Sequence, residues 1–322
     1  MKLGVFTVLF AKKTFEDMLD IVKDSGLESV EIRTRRDIDN PHCNLDELLE
    51  NEDKRKEYME EINARGLTIS ALSCHGNPLA PNKKVAEHVH DTFIKTVKLA
   101  QLLDVPVVNT FSGTPGAHDG STYSNWPVTP WPTEYTDIYN WQWEKKIIPY
   151  WKEQGDFAES HGVKIGLELH GGFSVHTPYT MLKLRDATNQ VIGANLDPSH
   201  LWWQGIDPVA AIRILGEENA IHHFHAKDTY INQDNVNMYG LTDMQSYGEI
   251  KTRAWTFRSV GCGHSVQEWS DIMSALRTYG YDHVVSIEHE DPLMSVEEGF
   301  MRAVTNLKSV LIKEQPADMW WV

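Results

Sequence analysis

The chain has 322 residues, 41% of them hydrophobic, which is enough apolar material for a large core in one domain or two. Its 30 lysines and arginines stand against 46 aspartates and glutamates; the formal net charge of −16 repels a phosphate backbone and argues against nucleic acid as a partner. Three cysteines, Cys43, Cys74 and Cys262, without a CxxC, exclude a disulfide framework and a cysteine zinc site and fit a reducing, cytosolic setting, and no stretch reaches the ~20 apolar residues of a membrane span.

The opening run, MKLGVFTVLFAKK, is too short in apolar residues for a secretory signal and lacks a small-residue cleavage site. A strand is expected over 2–8 and a helix over 14–25, where Thr14 precedes FEDML with Asp17 in the first turn. Strand 28–33 (ESVEIR) then leads to helix 45–65, which Asn44 and Glu47 begin as a capping pair. Strand 67–73, helix 83–103, strand 106–112 and helix 137–161 follow, then strand 163–169 (VKIGLEL), helix 179–188, strand 191–196 and helix 208–216. Strand 220–226 (AIHHFHA), helix 266–279, strand 283–288 (HVVSIE) and helix 295–313 complete the series, and Gly26, Gly66, Gly162 and Gly280 sit where helices should stop.

Eight strand and helix units without a linker or a change of composition predict one closed (β/α)8 TIM barrel over residues 1–322, with a short tail at 315–322. An open doubly wound sheet should carry a phosphate loop after a strand, and neither GxGxxG nor GxxxxGK[ST] occurs. Two connections are long, 113–136 after the fourth strand and 227–265 after the seventh, and both leave from the carboxyl end, where barrel enzymes keep their chemistry.

The last four strands all end in metal-binding residue types. Glu168 closes the fifth, Asp197 of LDPSH follows the sixth, His225 of HFHAKD lies in the seventh and Glu288 of SIEHED ends the eighth. Three carboxylates and an imidazole at one end of a barrel make a hard, oxygen-rich site suited to Mn2+ or Mg2+ rather than zinc. Residues near that face that suit polar substrate contacts are Glu31, Arg33, His75, Asn77, Asn109, Ser112, His200, Lys227, Asp228 and Arg258. Strand alternation puts His170 on the Glu168 face, one pleat further out, and Gly171 and Gly172 let the chain turn there. Gly261 and Gly263 of VGCGH offer backbone N–H groups to a phosphate, or form a turn before the next helix. The sequence has no GxSxG, no HExxH and no cysteine and histidine pair in a nucleophile context, so covalent catalysis is not suggested.

The runs LELH, LDPSHLWW, HFHAKD, GCGHSVQEW and SIEHEDP, in this order and at barrel spacing, resemble the xylose-isomerase-like TIM-barrel superfamily of sugar-phosphate isomerases and epimerases, over nearly the whole chain. The resemblance implies one divalent ion on Glu168, Asp197, His225 and Glu288, Mn2+ first with Mg2+ or Co2+ as alternatives. It also implies proton transfer beside a sugar carbonyl by Glu168 and Glu288. Within the superfamily the chain looks most like the catalytic subunit of bacterial C-glycoside deglycosidases, in which a base at the position of His170 would start β-elimination of an oxidised glycoside. That likeness implies a small β-rich partner subunit and homo-oligomerisation. Endonuclease IV type DNA-repair enzymes share the barrel but bind three zinc ions through a larger histidine set; a single site's worth of ligands and the charge of −16 oppose that reading. The remaining alternative is a non-catalytic barrel subunit that docks a partner through QPADMWWV, with Trp320 and Trp321 at the contact.

Overall fold

A computed structural model describes residues 1–35, 40–315, 318–319 and 321–322. Its elements are, in chain order, β1 (Lys2–Phe6), α1 (Phe15–Asp24), β2 (Ser29–Arg33), α2 (Leu45–Glu50), α3 (Glu52–Ala64), β3 (Thr68–Ser73), α4 (Lys83–Leu102) and β4 (Val107–Thr110). They continue with α5 (Thr133–Gln142), α6 (Ile148–Ser160), β5 (Lys164–Glu168), α7 (Pro178–Ala187), β6 (Ile192–Leu196), α8 (Pro198–Trp202), α9 (Pro208–Glu217) and β7 (Ile221–Ala226). Last come β8 (Asp228–Ile231), α10 (Gln233–Tyr239), β9 (Trp255–Arg258), α11 (Val266–Thr278), β10 (Val284–Ile287) and α12 (Val296–Val310).

Eight of the strands close into a barrel in the order β1-β10-β7-β6-β5-β4-β3-β2, each neighbour parallel to the next, so the expected (β/α)8 architecture is the one observed. The outer layer is explained by helical periodicity. In α1 the buried residues are Met18, Leu19 and Val22, and in α12 they include Phe300, Ala303, Val304 and Leu307, spacings of three and four that form one apolar stripe facing the sheet. The caps read from sequence at Thr14 and Asn44 are made, each side chain accepting a backbone N–H in the first turn.

Three expectations are corrected. The helix expected over 45–65 is two helices, because Asn51 adopts an extended conformation (φ −116°, ψ 108°), ends α2 and caps α3 by accepting Lys54 N. The helix expected over 137–161 begins at Thr133 and passes through a π turn at Trp143–Ile147; Pro149 has no N–H for the preceding turn, and the wider turn accommodates that loss. The connection 227–265 is not a plain loop, since β8 and β9 form an antiparallel ribbon with α10 between them. The alternating WTFR was the readable signal for that ribbon.

No described helix is long and apolar enough to cross a membrane. All three cysteines are free, and burial pushes the thiols of Cys43 and Cys74 up to about 12. In the tail, Trp321 is exposed, and Trp320 lies outside the described residues.

Candidate active site

The barrel brings the four strand-end residues together. Ligand atoms of Glu168, Asp197, His225 and Glu288 all lie within 4.8 Å of one another, and each residue comes from a different neighbouring strand or its carboxyl end. His225 Nδ1 faces the cluster, 3.2 Å from Glu288 Oε2 and 3.6 Å from Glu168 Oε2. Its Nε2 points the other way, 2.9 and 3.0 Å from the two oxygens of Glu31.

Glu31 thus stands behind His225, on the side away from the cluster. It is fully buried on β2 and also accepts hydrogen bonds from Ser73, from Asn109 Nδ2 at 3.0 Å and from Ser286 Oγ at 2.7 Å. This carboxylate fixes the imidazole so that Nδ1 is presented to the site, an arrangement common behind metal-ligating histidines. Asn109 is likewise turned to Glu31 rather than to the opening.

Several other residues grouped with the substrate contacts have polar atoms engaged within the protein. Both ends of the Asn77 amide are engaged with the connection after β4: Nδ2 donates to Thr114 O and Ser124 Oγ, while Oδ1 accepts Leu79 N and Thr114 N. Ser112 Oγ accepts Val175 N at 2.9 Å, and Arg258 Nε donates to Asp291 Oδ2 at 2.9 Å. Asp228 gathers the backbone N–H groups of Thr229, Gly261, Gly263 and His264 and the indole N–H of Trp269. The N–H groups of Gly261 and Gly263 thus serve a turn, and Asp228 takes the place that a phosphate would have needed. Arg33 is buried at the end of β2, where its carbonyl accepts Asn40 Nδ2 at 2.5 Å.

Three of the grouped residues do border the cluster. His75 Nε2 lies 3.0 Å from Glu168 Oε2, and His200 Nε2 lies 3.2 Å from Glu168 Oε1 and 3.5 Å from Asp197 Oδ2. Lys227, 2% exposed, places its ammonium 2.9 Å from Glu288 Oε2, 3.2 Å from Asp197 Oδ2 and 3.0 Å from Glu290 Oε2. Glu290 is a member of the site that sequence reasoning passed over, although EHED displays it.

The electrostatics follow from crowding charges in a dry place. Burial pushes Asp197 up to about 7, opposed by Lys227 and reinforced by Glu288 and Glu168. Burial acts the same way on Glu288, but Lys227 and His225 outweigh it and bring that carboxyl down to about 2. Burial raises Glu168, but the close imidazoles of His200 and His75 outweigh it and hold that carboxyl well below the usual range. Burial works against charge on His225, yet Glu31 and Glu288 on either side keep it protonated well above the usual imidazole range. His200 is the reverse case, pushed down to about 3 chiefly by burial.

Four buried atoms in this cluster, Asp197 Oδ2, His75 Nε2 and both ring nitrogens of His200, make no hydrogen bond of good geometry, although Lys227 lies close to the first and Glu168 to His75 Nε2 and His200 Nε2. Buried polar atoms are seldom left so, and several of them gathered around three carboxylates and an imidazole fit a divalent cation. Two further trios have ligand atoms within the same 4.8 Å, Glu168 with His170 and His200, and Glu31 with His223 and His225. They add His170 from the turn after β5, His200 from the short α8 and His223 from β7 to the surroundings of the four-residue group. Each trio shares a member with the four-residue group.

After Glu168 the chain turns at once: His170 N donates to Glu168 O at 2.8 Å. His170 nevertheless stays on the Glu168 side, its ring centroid 3.8 Å from that of His200, its Nδ1 2.5 Å from Gly171 O, and burial lowers its pKa. The two glycines differ in purpose. Gly172 has φ +92°, which suits glycine, whereas a Cβ on Gly171 would stand 2.2 Å from the Trp203 ring, so Gly171 makes room for an indole.

A parallel (β/α)8 barrel with an acidic, histidine-bearing cluster at the carboxyl ends of its strands has the layout of the barrel enzymes, whose active sites lie at that face. Residues 19–310 match the family model of the xylose isomerase-like TIM barrel, and the chain belongs to that family. It is 40% identical to the uncharacterized protein YfiH of Bacillus subtilis (strain 168) over 97% of this chain and 99% of that one. Among solved structures, it resembles the IOLI protein with a binding zinc atom at a TM-score of 0.66 and 19% identity, covering 98% of this chain and 100% of that one. It also resembles a D-tagatose 3-epimerase-like protein at a TM-score of 0.63 and 19% identity, covering 96% and 98% of the two chains.

Proposed function

We propose that this protein is a divalent-metal-dependent enzyme that moves a proton beside the carbonyl of a sugar, as an isomerase or epimerase. The observation that carries the reading is the pair Glu168 and Glu288, two ionised carboxylates in one cluster with Asp197 and His225. Glu168, Asp197, His225 and Glu288 would hold the ion; when bound, it would polarise a carbonyl and stabilise the negative charge that develops on its oxygen. The oxygen-rich donor set favours Mn2+, with Mg2+ or Co2+ as alternatives, and the zinc of the IOLI structure makes zinc the competitor to test.

The chain's own groups supply the rest. His75 and His200 orient Glu168, and Lys227 orients Glu288, so each carboxylate faces the cluster and can take or return a proton. Metal analysis of purified protein should find about one ion per chain, and incubation with free ketoses and aldoses should give metal-dependent interconversion. Protein that neither holds nor responds to a divalent metal removes this reading.

A second reading, lyase action on an oxidised C-glycoside with loss of the aglycone, is favoured by His170. Burial keeps this imidazole neutral, Gly171 O holds its Nδ1, and its other nitrogen is left to act as a base. His170→Ala is expected to keep its metal and lose turnover of a keto-glycoside by about 10²–10⁴-fold. Loss of metal together with turnover would instead make His170 a support for the cluster.

Metal uptake should be proton-linked. Below pH 7 both His225 and Asp197 carry protons that the ion must displace, so affinity should fall as pH drops and binding at neutral pH should release protons. Calorimetric titrations in buffers of different ionisation heat read that release directly; identical heats in all buffers would contradict it.

A further inference from the structure

We propose that Lys227 is a built-in competitor of the divalent ion: its ammonium engages the same oxygens of Asp197 and Glu288 and passes to Glu290 as the ion binds. Lys227 and Glu290 are then positioning residues that together set how tightly the metal is held. The proposal rests on the metal-dependent reading above, since it takes Glu168, Asp197, His225 and Glu288 as the ligands.

The competition is over single atoms. Asp197 caps α8 with Oδ1, which accepts Ser199 N at 2.8 Å, so Oδ2 is the oxygen left for a cation. Lys227 Nζ lies 3.2 Å from that Oδ2. In Glu288 it is Oε2 that faces the cluster, 3.2 Å from His225 Nδ1, and Lys227 Nζ lies 2.9 Å from this same oxygen. An ion held by Asp197 and Glu288 therefore meets the ammonium on the oxygens that both require, and two cations so close repel each other strongly where water is excluded.

Lys227 has no easy way into solvent. The side chain is 2% exposed and its ammonium lies 4.7 Å from the centroid of the Phe257 ring, so it needs a counter-charge wherever it stays. Glu290 supplies one. It stands two residues beyond Glu288, past the end of β10, with a carboxylate that is 51% exposed and an Oε2 already 3.0 Å from Lys227 Nζ. Glu290 is not a member of the four-residue ligand group, so its charge remains available to the ammonium once an ion has taken the others. Lys227 thus has one partner to keep and two to yield. The same ammonium steadies the crowded carboxylates when no ion is bound, while lowering their affinity for one.

Calorimetric titration of chelator-treated protein with Mn2+ tests this. Glu290→Gln should weaken Mn2+ binding about tenfold, because the displaced ammonium loses its remaining counter-charge. Lys227→Met keeps the stem without the charge; it should tighten Mn2+ binding about tenfold and lower the melting temperature of the metal-free protein, a loss that saturating Mn2+ restores. The double variant decides. In the Lys227→Met background Glu290→Gln should no longer weaken Mn2+ binding, since its effect acts through the ammonium. Additive effects would reduce both residues to charges acting independently on the ion and would overturn the proposal. Unchanged Mn2+ affinity in Glu290→Gln, a change at a half-exposed side chain, overturns it as well, whether or not Lys227→Met folds. Failure of the metal reading shows separately, as wild-type protein that takes up no Mn2+.

Discussion

Glu168→Gln is expected to abolish measurable turnover, a loss of about 10³-fold or more, and to weaken metal binding. The amide keeps the shape of the carboxylate but removes its charge and its capacity to take a proton. It also places an NH2 group among His75, His200 and His225, which lie 3.0, 3.2 and 3.6 Å from the Glu168 oxygens. Glu168→Asp separates the two effects. It keeps the charge that helps hold an ion but withdraws the carboxylate by one methylene, so metal content should persist while kcat falls. Wild-type turnover and metal content in Glu168→Gln would remove Glu168 from the chemistry altogether.

The second large effect is expected far below the opening. Glu31→Ala should lower the free energy of unfolding by about 3–5 kcal/mol, because it strands the buried donors of Ser73, Asn109, Ser286 and His225 and leaves the imidazolium without its counter-charge. Metal affinity should fall by about 10–100-fold, as when a support behind a ligating histidine is lost. Glu31→Gln keeps the volume and most of the hydrogen-bonding capacity, so it should cost less stability and still weaken the metal. Denaturant titration and metal titration measure the two separately. Unchanged metal affinity in both variants would mean that Glu31 serves packing alone.

Glu31 also shows where sequence reading stops. In ESVEIR it is one more strand residue near the open end of the barrel, and its alternation says only that it shares a face with Arg33 and Ser29. Its partner His225 lies 194 positions away, on a strand that does not neighbour β2, and the pair meets only because the sheet closes on itself. Asp228 is a parallel case. In HAKD it has the look of a site residue, but the turn at Gly261 and Gly263, just past the Arg258 that pairs with Asp228 in the β8–β9 ribbon, folds back onto it. The cavity beside His170 likewise needs Trp126 and Trp255 from two separate connections.

Local chemistry, by contrast, was legible. Alternation of β-branched runs with amphipathic stretches set the barrel, since strand and helix periods differ and each must bury one face. The carboxylates and imidazole at the last four strand ends were readable because a parallel barrel delivers every strand's carboxyl end to the same place. What the sequence determined by itself was therefore the architecture and the chemical types gathered at one end. Which of those groups face one another, which are turned to the scaffold, and what cavity opens beside them were decided by register and closure, because polar partners in a barrel are chosen across the sheet rather than along the chain.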